Sequence, residues 1–81
     1  MLTRRQREIL TLMRDGRGDD AELVYERGRG CVGVERVSGR TVFALLRAAA
    51  ISADGFSGGP GDFERYTINE TGRGLLEEGE K

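Results

Sequence analysis

Apolar residues recur at helical spacing near the start of the chain and predict a first helix over about 3–15. Thr3 and Gln6 have the form of a capping box, in which each side chain bonds the other residue's backbone N–H. Gly16 stands where a C-terminal glycine ends a helix. The positions that follow the helical repeat are Ile9, Leu10 and Met13.

Two stretches rich in β-branched and aromatic residues come next, at 22–26 and 31–37. A glycine-containing segment at 27–30 separates them, which is the pattern of a β-hairpin. A short helix over 19–27 that begins at an aspartate is the alternative interpretation. The hairpin is the favoured prediction.

A second helix is predicted over 38–49, because Ser38 is a good N-cap residue and the apolar positions after it follow the helical repeat. The apolar side contains Val42, Leu45, Leu46 and Ala49.

The outer face of this second helix has an unusual composition. It carries Arg40, Phe43, Ala44 and Arg47 and no acidic residue, whereas an ordinary solvated face would contain Glu or Lys. We therefore expect this face to contact a partner.

Two short strands, 50–53 and 63–68, are predicted around a glycine-rich loop at 54–62. A last helix follows, capped by either Thr67 or Asn69. Its only large apolar residues are Leu75 and Leu76.

Composition restricts the class of protein. A chain of 81 residues is expected to form one domain, here 1–76, followed by a frayed acidic tail at 77–81. With no histidine and a single cysteine, we expect no metal site, no cofactor and no catalytic activity. No apolar run is long enough to cross a membrane, and the chain is expected to be cytoplasmic.

Charge is distributed unevenly although the net charge is only -1. The basic residues are twelve arginines and one lysine. Segment 27–47 carries five arginines against one glutamate, whereas 48–81 carries seven acids against three basic residues. A split of this kind fits a protein with one basic face.

Three segments together resemble the winged helix-turn-helix domain of small MarR-type and PadR-type regulators. Residues 2–10 (LTRRQREIL) resemble the opening helix of these proteins, and 37–51 (VSGRTVFALLRAAAI) resemble their recognition helix and the strand after it. Residues 66–76 (YTINETGRGLL) resemble their usual ending. The resemblance implies an α+β fold in the order α-β-β-α-β-β-α, with a small antiparallel sheet and a wing at 55–61.

The resemblance also implies a transcriptional regulator, from a bacterium or a bacteriophage, that binds double-stranded DNA as a homodimer with 38–49 as its recognition helix. The first and last helices are the expected dimer surfaces. The candidate DNA-binding residues are Arg27 and Arg29 on phosphates, and Ser38, Arg40, Ala44 and Arg47 in the major groove.

A different class of function stays open. Small phage proteins also inhibit host proteins or CRISPR complexes, and some of them use a winged-helix scaffold without binding DNA. The acidic second half of the chain favours this alternative, as does the wing, which has no basic residue and is flanked by Asp54 and Asp62. Phe43 and Phe56, if exposed, would then be anchors in a protein interface.

Overall fold

A computed structural model describes residues 2–57 and 63–80, and it excludes the side chains of Asp19, 54–57, Phe63 and 79–80. The chain is an α+β protein, as the sequence predicted, in which helices cover one face of an antiparallel sheet. The elements are α1 (Arg4–Asp15), β1 (Glu22–Glu26), β2 (Arg29–Val32), β3 (Glu35–Ser38), α2 (Gly39–Arg47), β4 (Ile51–Ser57), β5 (Phe63–Ile68) and α3 (Glu70–Glu80).

Within residues 2–57 and 63–80 the sheet contains five strands in the order β3-β2-β1-β5-β4, and every neighbouring pair is antiparallel. The predicted element order was therefore wrong by one strand. The stretch predicted as one strand over 31–37 divides into β2 and β3, because the chain turns at Gly33, which adopts a left-handed φ of 60°. Glycine takes this conformation without steric cost.

The alternative prediction of a helix over 19–27 was also wrong. A single 3-10 turn at Gly18–Ala21 leads directly into β1. Between α1 and α2 the described chain thus has a 3-10 turn and three strands, where a strict helix-turn-helix has a second α-helix.

Side chains alternate along the strands between a buried face of the sheet and an open one. Leu23, Val32 and Val37 point to the helix side and are almost completely buried. Cys31 and Arg36, which are directly opposite each other on β2 and β3, are exposed on the other face. The described core consists of Ile9, Leu10, Met13, Leu23, Val32, Val37, Val42, Leu45, Ala50, Ile51, Tyr66, Ile68 and Leu76.

Helix α1 begins as predicted. The Thr3 hydroxyl accepts from the Gln6 backbone N–H, and the Gln6 side chain accepts from the Thr3 N–H, which completes the capping box. Arg5 then joins the helix to β3, because its guanidinium donates to the Glu35 carboxylate at 2.9 Å and to the Arg36 carbonyl at 2.7 Å. The second bond covers part of the backbone of an edge strand, which protects that edge from further pairing.

Helix α2 is shorter than predicted. Ser38 caps it, and Val42 and Leu45 are buried as expected. The helix ends at Arg47, and Ala49 has a left-handed φ of 56°. Ala49 is exposed beyond the end of the helix, so it does not belong to the buried side on which we predicted it.

Helix α3 is joined to the connection between α2 and β4 by Asn69, the capping residue. Its side-chain oxygen accepts from the Gly72 N–H at 2.9 Å, and its amide nitrogen donates to the Ala49 carbonyl at 2.7 Å and to the Ser52 hydroxyl at 2.8 Å. The cap is therefore Asn69 and not Thr67. The helix continues to Glu80, so helical backbone covers most of the stretch for which we predicted a frayed tail.

Burial makes the Tyr66 hydroxyl a source of pH-dependent stability. Burial, with a smaller contribution from the hydrogen bond to Glu64, raises the pKa of Tyr66 to about 12. The folded state then holds this proton more tightly than the unfolded state does, so the stabilisation is complete below pH 10 and is lost as the pH rises towards 12.

We expect the difference in unfolding free energy between the parent protein and Tyr66→Phe to change across this alkaline range, with the parent losing more stability. Urea unfolding at pH 8, 10 and 11 measures it. Parallel pH profiles for the two proteins would contradict the assignment.

Candidate nucleic-acid interface

The exposed side of α2 carries the predicted mixture of positive charge and one aromatic ring. Arg40, Phe43 and Arg47 are exposed on one side of the helix, and Ala44 beside them is half-buried. None of the nine residues of α2 is acidic. We call Arg40, Phe43 and Arg47 the α2 stripe.

Phe43 is held by a neighbour that the sequence analysis had not paired with it. Its ring lies edge-to-face with Tyr25 on β1, with centroids 5.7 Å apart and planes at 67°. The phenylalanine side chain is nevertheless 52% exposed. The ring therefore packs against the sheet on one side and meets solvent on the other.

The start of α2 lies against the turn between β1 and β2. Ser38 accepts from the Thr41 backbone N–H at 3.2 Å, so its hydroxyl is engaged as the helix cap. A Cβ added to Gly39 would lie 3.3 Å from the Gly28 carbonyl oxygen, which shows how closely the turn approaches the helix. The turn between β1 and β2, which carries Arg27, is thus adjacent to the N-terminus of α2.

Arg27 occupies a demanding position in that turn. Its φ is 49° and that of Gly28 is 80°, and the flanking residues Glu26 and Arg29 are paired. Two consecutive left-handed residues are the signature of a type I′ hairpin, for which Asn-Gly is the favoured sequence. The strained backbone fixes an exposed arginine at the tip of the hairpin.

Arg29 is separated from the α2 stripe by the sheet. On β2, Arg29 is paired with Glu26 of β1 and with Ser38 of β3. Its side chain lies on the sheet face that the helices leave open. A shallow groove of about 530 Å³ on this face is lined by Val24, Glu26, Arg27, Arg29 and Cys31.

The six predicted site residues therefore fall into two groups. Arg40, Ala44 and Arg47 lie together on α2. Arg27 and Arg29 lie at the hairpin next to the start of α2, with Glu26 beside them, and Ser38 joins the two groups as the cap of the helix.

Ala44 also borders a second groove, between α2, the start of α1 and α3. Its volume is about 440 Å³, and Arg47 is its one charged lining residue. The other lining residues are Leu2, Gln6, Ala44, Ala48, Thr71 and Leu75.

Part of the predicted wing lies outside the described residues. β4 and β5 form the hairpin that would carry it, with an irregular register between Ala53 and Gly55. The predicted loop residues 58–62, and the side chains of Asp54 and Asp62, are outside the described part of the chain.

Tyr25 is the residue of this site that sequence reasoning missed. The alternation of Leu23 and Tyr25 placed it on the same sheet face as the core, which is correct, but its contact with Phe43 depends on where α2 packs. Among the described residues, no group of three or more Cys, Asp or Glu side chains is arranged to hold a metal ion.

No helix within residues 2–57 and 63–80 is long and apolar enough to cross a membrane. Comparison of the chain with protein-family models, with curated proteins and with solved structures gives no match.

Proposed function

We propose that this protein is a cytoplasmic transcriptional regulator that binds double-stranded DNA, with α2 as its recognition helix on a winged-helix-like scaffold. The observation that carries the proposal is the α2 stripe, an exposed helix face with two arginines and no acid. A net charge of -1 argues against indiscriminate attraction to polyanions, so binding depends on this local concentration of positive charge.

The geometry of α2 suits the major groove, which is about 12 Å wide and admits a helix. Arg40 and Arg47 are seven residues apart, so they lie about 10 Å apart along the helix axis. Arginine at such positions bonds guanine edges or phosphates with two parallel N–H groups. Ala44, which is small, allows close approach between them.

The hairpin turn supplies the contacts outside the groove. Arg27 projects from a turn that touches the start of α2, where it would reach the phosphate backbone beside the groove. Arg29 would reach the same strand only from the open sheet face, so we expect it to contribute less than Arg27.

A single domain of this size buries too little surface for tight specific binding, which is why we propose a homodimer. The proposed activity is binding without a catalytic step and without a cofactor.

Neutralising Arg40 tests the proposal. We expect Arg40→Gln to weaken duplex binding by about tenfold or more and to lower the slope of affinity against salt by about 1, because one cation leaves the interface. Fluorescence anisotropy with a labelled mixed-sequence duplex over a salt series measures both quantities.

Arg36→Gln is the matched control, since it removes the same charge from an exposed arginine on the open sheet face. Equal losses in the two variants, or undetectable binding by the folded parent protein at low salt, would exclude α2 as the DNA-binding element.

A protein-binding role, such as inhibition of a host protein or a CRISPR complex, is the second candidate. It is favoured by Leu12, 42% exposed, and Val34, 102% exposed. Both line one groove whose acidic lining residues are Asp15, Asp20 and Glu35. Phe43 is exposed as this alternative requires, whereas the side chain of Phe56 is outside the described part of the chain. Under this alternative, Leu12→Ser and Val34→Ser abolish binding to the partner, and Arg40→Gln leaves it intact.

A further inference from the structure

We propose that, within double-stranded DNA, the α2 stripe prefers sites with an unpaired base, which stacks on Phe43 while its flanking phosphates pair with Arg40 and Arg47. The inference rests on the proposed function, because it names the form of DNA that the same surface selects.

Phe43 stands out among the exposed apolar residues. In the described part of the chain only three large hydrophobic side chains are exposed, and Phe43 is the aromatic one. It lies three residues after Arg40 and four before Arg47, so all three side chains are neighbours on the helix surface. The ring is therefore bracketed by positive charge along the helix axis.

The ring is also restrained before any ligand arrives. Its edge-to-face contact with Tyr25 limits its rotation, and Tyr25 is itself half-buried in β1. A side chain that is already ordered loses less conformational entropy on binding. Half of the Phe43 side chain is left in contact with solvent, which provides a surface for a planar ligand.

Base pairing decides what such a ring can recognise. In the major groove a paired base presents only its edge, and a phenyl group has no hydrogen-bonding atom with which to read it, so contact with a thymine methyl is its main use there. An unpaired base exposes its π face. Stacking of bases on aromatic side chains, combined with cations that follow the backbone, is how proteins hold single strands.

The charges of α2 fit the phosphates on both sides of that base. Arg40 and Arg47 flank the ring, and the helix has no acidic residue that would repel a phosphate. Neither arginine has an ion pair among those found in the described structure, which leaves both guanidinium groups available to a ligand.

The test compares three labelled ligands in anisotropy titrations of the full chain: a mixed-sequence 16-nucleotide single strand, its duplex, and the duplex with a three-base internal loop. We expect the parent protein to bind the looped duplex more tightly than the full duplex, and the single strand shows how much of the affinity comes from unpaired bases alone. Phe43→Leu, which keeps apolar bulk against Tyr25, should weaken binding to DNA with unpaired bases by about tenfold. Arg36→Gln, on the open sheet face, should leave that binding within about twofold.

Phe43→Trp is the second variant, and it should retain the preference for unpaired DNA because it keeps an aromatic face. A 2-aminopurine base in the loop gives an independent readout, since its emission should change on binding of the parent and Trp proteins but not on binding of the Leu protein. Circular dichroism confirms that each variant is folded.

Tighter binding of the parent protein to the full duplex would overturn the inference, and so would equal binding of unpaired DNA by the parent and Phe43→Leu. In either case duplex binding that depends on Arg40 leaves the proposed function standing. Failure of all three ligands to bind the folded parent protein would overturn both.

Discussion

Replacing Gly72 by alanine is expected to destabilise the protein by about 3 kcal/mol, a large part of the stability of a small domain. An added Cβ would lie 2.3 Å from the Ala50 carbonyl oxygen and 2.9 Å from the Ile68 Cγ1. The carbonyl belongs to the backbone and accepts a hydrogen bond from the Asn69 N–H at 3.2 Å, so it cannot move aside without breaking that bond.

Gly74 in the same helix is the matched control. A Cβ at Gly74 meets no atom within 4 Å. We therefore expect Gly74→Ala to stabilise the protein by up to about 1 kcal/mol, since alanine loses less backbone entropy in a helix than glycine does. Urea unfolding of the two variants measures both effects, and losses of similar size would show that Gly72 tolerates a side chain.

Truncation of Leu76 to alanine is the second large effect. We expect it to lower the free energy of unfolding by about 2–5 kcal/mol. Leu76 is fully buried in the core, and the Arg7 side chain donates to its carbonyl at 3.4 Å, which places α1 over this part of α3. Removing the side chain leaves a cavity between the two helices that the fixed sheet beneath them does not close.

Leu75→Ala is the control for that experiment, because the adjacent leucine is only partly buried against the core. We expect Leu75→Ala to lower the free energy of unfolding by less than half as much as Leu76→Ala does, as measured by thermal or urea unfolding. A loss for Leu75→Ala as large as that for Leu76→Ala would contradict the assignment of Leu76 as the buried residue.

The contrast between these leucines shows what the sequence could predict. Local signals were sufficient for the starts of α1 and α2, since Thr3 and Ser38 cap these helices through bonds to residues three positions away. Leu75 and Leu76 are equally apolar neighbours, yet Leu76 is fully buried and Leu75 only partly, a difference that depends on how α3 packs against the rest of the fold. Local pattern therefore predicted that α3 exists but not which residue fixes it to the core.

The division of the second predicted strand has a similar cause. Val32 and Val34 continue one alternating pattern across Gly33, and no polar residue interrupts the pattern at that point. In the structure the chain reverses there, so Val32 is buried whereas Val34 lies at the exposed turn. In the sequence, Gly33 itself was the one local indication of the turn, because glycine readily adopts the left-handed φ found there.

For the candidate site, too, the sequence predicted the exposed face of the helix but not the contacts that depend on packing. The periodicity of 38–49 placed Arg40, Phe43 and Arg47 on one exposed side of a helix, and the structure has them there. It did not place Arg29 on the opposite side of the sheet or bring Tyr25 against Phe43, because both depend on how α2 packs against β1 and β2.

The strand order has a consequence for the speed of folding. β1, β2 and β3 pair with their neighbours in sequence, as do β4 and β5, and such hairpins form in about 1–10 μs. In the described sheet these two sets of strands pair with each other between β1 and β5, in a register that sets Glu22 opposite Thr67. This step closes a loop that includes all of α2, and long-range closure of this kind is slow, so we expect the pairing of β1 with β5 to limit the rate of folding.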